Sequence, residues 1–165
     1  MEDGLLVSSA LDHARRMYGS LTQPDFSFAG NAYRSQPHKG LVERLSRFLE
    51  VEDDTHLDVD VSFYYKLSSK SGRWHLLLSM VGPYAMLFRV PRTHWWTSAR
   101  GIEPIVDGFV GDERRIVDLV DERGFTLVSG EQSKIPVEFE TWSGIPLQEG
   151  PLFRVLFRDD SDLAW

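Results

Sequence analysis

Between Leu57 and Leu67 every odd position is apolar or aromatic (Leu57, Val59, Val61, Phe63, Tyr65, Leu67), and the even positions are Asp58, Asp60, Ser62, Tyr64 and Lys66. Successive strand side chains point to opposite faces, so this alternation predicts a half-buried β-strand with its even face in water or against a partner. A turn at 68–72 follows, then a second alternation through Trp74, Leu76, Leu78 and Met80. Gly82-Pro83 breaks it, and Tyr84, Met86, Phe88 and Val90 resume it. Three strands joined by short turns form an antiparallel meander. Leu77 and Val81 make the second strand's other face apolar as well, which predicts a central strand covered in part on both sides.

Helical periodicity flanks this meander. Leu6, Ala10, Ala14 and Met17 share a face over 5–18, with Gly19 as a stop. Residues 21–39 carry Pro24, Gly30, Asn31 and Pro37 and read as irregular, anchored by Phe26, Phe28 and Tyr33. A second helix is expected over about 40–50. A third lies between about 104 and 123, best from Asp112 to Arg123, where Ile116, Val117 and Val120 form the buried stripe. Gly124 ends it, and 125–128 reads as a strand. Val137–Phe139 is a candidate edge element demoted by Pro136. Leu152–Phe157, apolar on both sides, reads as a last strand. The expected fold is one α+β domain over 1–165. Its antiparallel or mixed sheet has about five to six strands, built on the 57–90 meander and packed against helices.

Composition narrows the function classes. Ten Phe, five Trp and five Tyr among 165 residues speak for a folded core. No cysteine is present, so disulfides and thiolate chemistry are excluded, in keeping with a reducing, cytoplasmic setting. The start Met1-Glu2-Asp3-Gly4 lacks the basic character of a signal peptide, and no apolar run is long enough for a bilayer, so no membrane association is expected. A net charge of −7 argues against direct, sequence-independent nucleic-acid binding and is explained by solubility or by a basic partner.

Candidate chemistry is sparse. The five histidines lack i, i+4 or alternating strand spacing, so no metal site is expected. No G-x-S-x-G elbow, Walker loop or dinucleotide fingerprint occurs. On a strand, Asp58 and Asp60 would face the same way about 7 Å apart. With Glu52, Asp53 and Asp54 upstream, they suit either a divalent cation or a cationic protein partner. Tyr64 lies on the same predicted face. His94-Trp95-Trp96, in a predicted loop, offers Trp95 and Trp96 as exposed aromatic anchors or as core plugs.

The stretch Leu78-Ser79-Met80-Val81-Gly82-Pro83-Tyr84-Ala85 and the ending from Leu156 to Trp165 resemble small bacterial immunity proteins, the cognate partners of polymorphic or contact-delivered toxins. The resemblance covers about 57–165. It implies a non-enzymatic, cofactor-free inhibitor of one toxin, such as a basic nuclease, and fixes no binding residues. The strand alternation and the predicted loop, not the resemblance, give Asp58, Asp60, Tyr64, Trp95 and Trp96 as the candidate partner-binding residues. A metal-dependent enzyme built on Asp58 and Asp60, and a small-molecule sensor with a pocket between meander and helices, are the alternatives.

Overall fold

The computed structural model describes residues 2–93, 102–140 and 146–158. Helices α1 (Glu2–Tyr18), α2 (Ser27–Ser35) and α3 (Lys39–Leu45) lead into β1 (Glu50–Asp53). The meander follows as β2 (Ser62–Ser69), β3 (Gly72–Ser79) and β4 (Tyr84–Arg89). Then come α4 (Asp112–Glu122), β5 (Thr126–Leu127), α5 (Gly130–Ser133), β6 (Pro136–Glu140), β7 (Pro146–Pro151) and α6 (Leu152–Leu156).

The fold is α+β, as the patterning predicts. Strands β1 to β5 form one sheet in chain order, antiparallel except for the β4–β5 pair, while β6 and β7 form a separate antiparallel pair. The parallel pairing follows from α4, which fills the connection between β4 and β5 and returns the chain to the same edge.

Both faces of the sheet are buried. On one, Phe63, Tyr65, Leu67, Trp74, Leu76, Leu78 and Leu87 pack against Leu41 and Leu45 of α3 and Ile116 and Val120 of α4. On the other, Tyr64, Leu77, Met86 and Phe88 meet Ala10, Ala14 and Tyr18 of α1 and the apolar side chains of α6. The all-leucine run 76–78 is thus the signature of a strand clothed on both sides.

Four expectations are corrected. First, β2 begins at Ser62, not Leu57, and its even face is not in water, since Ser62, Tyr64 and Lys66 are all buried. Residues 57–59 form a turn because the backbone N–H groups of Val59 and Asp60 both donate to the His56 carbonyl, at 3.0 and 2.7 Å. The Asp60 carboxylate closes that turn by accepting from the His56 N–H at 2.6 Å. A short acidic side chain bonding the nearby backbone competes with the strand ladder, and here it wins.

Second, residues 27–35 are helical despite Gly30 and Asn31. Asp25 Oδ1 receives the Ser27 N–H at 2.9 Å just ahead of the helix, and Gln36 ends it with a left-handed φ of 45°. Third, the helix expected over 40–50 stops at Leu45, and the chain extends into β1 at the edge of the sheet. Fourth, 152–157 is a helix and not a strand. A short apolar run with no polar face carries no period to tell the two apart. Three buried hydroxyls hold its end: Tyr18 donates to the Val155 carbonyl at 2.7 Å, Ser79 to Leu156 at 2.5 Å and Ser62 to Phe157 at 2.9 Å. Carbonyls left over at a helix C-terminus need such donors, which accounts for two buried serines where β2 begins and β3 ends.

Among the described residues no helix is long and apolar enough to cross a membrane. His94, Trp95, Trp96 and the tail 159–165 lie outside the described residues.

Candidate functional site

The turn that delays β2 also separates the two candidate aspartates. Asp58 is exposed on the turn, while Asp60 is 1% exposed and forms an isolated bridge with Arg158 just beyond α6. The pair expected on one strand face therefore does not share one. Asp60 Oδ1 stands 3.5 Å from Arg158 Nε, an ion-pair distance longer than a hydrogen bond, and Oδ2 takes the His56 N–H. Burial raises its pKa to about 6, against the lowering effects of the His56 N–H and the Arg158 charge. A carboxyl so enclosed presents no face to a dissolved substrate, and its geometry is that of a clasp between the turn and the end of α6.

Tyr64, expected to be surface-facing, is 3% exposed and lies in the α1/α6 layer, with its ring edge-on to His75 at 5.2 Å. Its place follows from the doubly covered sheet. Trp95 and Trp96, the aromatic half of the expected surface, fall outside the described residues.

The acidic surface exists at a neighbouring place. On β1, Glu50, Glu52 and Asp53 are exposed, and Asp54 and Asp58 continue the charge past its end. The register Glu52↔Lys66 and the Asp54 N–H to Tyr64 carbonyl bond at 2.8 Å turn the even-numbered backbone groups towards β2. Alternation then directs those of Val51 and Asp53 outward. Lys66 is buried beneath this rim, 3.0 Å from Asp54 and 4.0 Å from Glu52, so it neutralises part of the charge from inside. Asp53 is held by the Tyr33 hydroxyl at 3.1 Å and the Thr55 N–H at 3.0 Å. Asp58 has no ion pair among the described residues.

Two further clusters carry no signature that sequence reasoning caught. Glu113, in the first turn of α4, is 1% exposed. It accepts from Trp74 Nε1 at 2.9 Å, from two nitrogens of Arg89 at 2.6 Å each, and from the Val110 N–H at 2.8 Å. Burial pushes its pKa up, but the hydrogen bonds from Arg89, Trp74 and Val110 outweigh it and hold the carboxyl below its ordinary value. The second cluster is a cleft of about 700 Å³ between the end of α3, β1 and the β2–β3 turn, with Arg47, Phe48, Lys70 and Arg92 on its walls. In sequence these residues fall in separate segments, with Arg47 on the polar and Phe48 on the apolar stripe of the expected 40–50 helix and Lys70 in the 68–72 turn.

Among the described residues no group of three or more His, Asp or Glu side chains is placed to hold a metal ion. No protein-family model, curated protein or solved structure matches the chain. The resemblance to immunity proteins accordingly stands on the residues quoted for it alone.

Proposed function

We propose that this chain is a non-enzymatic binding protein of the immunity type, which neutralises a basic bacterial toxin in the cytoplasm by occupying it through an acidic surface. The observation that supports this reading is the rim of Glu50, Glu52, Asp53, Asp54 and Asp58 along an edge strand whose outer backbone groups face away from the sheet. Like-signed carboxylates on an edge steer an oppositely charged partner and speed its encounter. A basic nuclease fits that charge. In this reading Asp60 and Tyr64 are scaffold residues behind the rim, and Trp95 and Trp96 are its aromatic anchors.

The test is capture of the product of the adjacent reading frame by the purified chain. Simultaneous reversal at Glu52→Lys, Asp53→Lys and Asp58→Lys is expected to weaken that complex at least about a hundredfold, mainly through the association rate, with unfolding unchanged. Trp95→Ala with Trp96→Ala is expected to raise the dissociation rate instead. Undiminished binding by the charge-reversed chain would remove the acidic rim from the interface. Growth of a toxin-expressing strain that does not depend on this chain would remove the inhibitor reading altogether.

A further inference from the structure

We infer that the cleft between the end of α3 and the β2–β3 turn is a binding site for a nucleoside di- or triphosphate. Arg47, Lys70 and Arg92 line it and are all exposed. Seven other cations, Arg15, Arg44, Lys66, Arg89, Arg115, Lys134 and Arg158, each lie within ion-pair distance of a carboxylate. No carboxylate pairs with Arg47, Lys70 or Arg92 among the described residues. In a chain of net charge −7, carrying 25 acidic residues, three such cations around one concavity are a local inversion of sign. Arg92 is fixed against its neighbour by donating to the Lys70 carbonyl at 2.9 Å, so two of the three charges sit on mutually braced turns.

The chemistry of the walls selects the ligand. Two guanidinium forks match the paired oxygens of phosphate, and an ammonium adds a mobile point charge. The Ser46 hydroxyl, exposed and without a hydrogen bond among the described residues, supplies a neutral donor. Phe48 gives one apolar wall, with its ring held by the Arg115 guanidinium 3.7 Å away, and offers a surface for a nucleobase. The cleft is of the size that takes ligands of this class. Glu50 on its wall, with Glu52 and Asp53 beyond, opposes the onward path of a polyanion, which favours a compact phosphate over a nucleic-acid strand.

Titration calorimetry at low ionic strength with adenosine diphosphate, pyrophosphate, adenosine and a single-stranded oligonucleotide tests this. Adenosine diphosphate and pyrophosphate are expected to bind and adenosine is not. Arg47→Ala and Lys70→Ala should each weaken the diphosphate about tenfold, the loss of one charge-assisted contact. Lys134→Ala, a paired lysine outside the cleft, should change nothing. No binding of either phosphate at millimolar concentration, equal affinity in the cleft variants, or tighter binding of the oligonucleotide would each overturn the assignment. The cleft shares only Glu50 with the acidic rim, and the reversals at Glu52, Asp53 and Asp58 leave the cleft cations in place, so either reading can fail alone.

Discussion

Glu113 and Asp60 are both 1% exposed, and both face an arginine, yet burial leaves them in opposite condition. Glu113 receives four hydrogen bonds, two of them from the fork of Arg89, and is held ionised. Asp60 receives one backbone N–H, and its arginine stands off at 3.5 Å, so desolvation prevails and its pKa rises to about 6. The number and geometry of donors, not the presence of an opposite charge, decide whether a buried carboxylate stabilises its surroundings.

The sharpest break of that comparison is Glu113→Ala. It leaves Trp74 Nε1, the Val110 N–H and the Arg89 fork without their acceptor, and is expected to lower stability by about 3 to 5 kcal/mol in urea unfolding at neutral pH. A loss below about 1 kcal/mol would mean that water replaces the carboxylate readily.

Asp60 should respond to pH with the opposite sign. Its native pKa of about 6 lies above the unfolded value, so between about pH 4 and 6 the native state holds more protons. Stability from this group is therefore present below pH 4 and declines as pH rises through 6, by on the order of 3 kcal/mol. Asp60→Asn should remove that slope, read as the difference between the two proteins in denaturant titrations from pH 4 to 7. Parallel curves would show the carboxyl to be ionised as readily as in water. For Glu113 the window inverts, because its lowered pKa gives stability that is present above the unfolded value and lost on acidification.

The smallest effect concerns the neighbouring clasp on α6. Ser79→Ala and Ser62→Ala each remove one buried hydroxyl from a helix-end carbonyl and should cost about 1 kcal/mol. Tyr18→Phe, which deletes only the hydroxyl over Val155, should match them. Equal stability in all three would transfer the holding of α6 to its apolar side chains alone.

The legible part of this fold was periodic. The meander, α1, the 112–122 helix and the glycine-terminated return to β5 all follow from spacing that one local rule can read. One correction comes where a side chain overrides the pattern, and another where there is no pattern to read. Asp60 sits at a polar position of a clean alternation, yet its carboxylate turns back on His56, and nothing in Leu57–Leu67 encodes that choice. The run 152–157 had no polar face to reveal a period, and the hydroxyls that specify it as a helix come from residues as far away as Tyr18. The candidate surfaces divided the same way. The acidic character of 50–58 was visible, but the burial of Asp60 and Tyr64 was not, since it depends on α1 and α6 covering the meander's second face. Glu113 carries no signal in the sequence, because Trp74 and Arg89 reach it across 39 and 24 residues.

The bond from Tyr18 to Val155 closes a loop of 137 residues, and the layer that α1 and α6 form over the sheet depends on both ends of that span. During synthesis the meander can pair as soon as β4 has emerged, yet the apolar face carrying Tyr64, Leu77, Met86 and Phe88 has only α1 to cover it until the residues of α6 follow. Such long-range closure slows the final step of folding and leaves an adhesive surface exposed in the interval. A ribosome stalled shortly before residue 152 should therefore hold a chain with a paired sheet and an open face, one that chaperones engage and the completed protein does not.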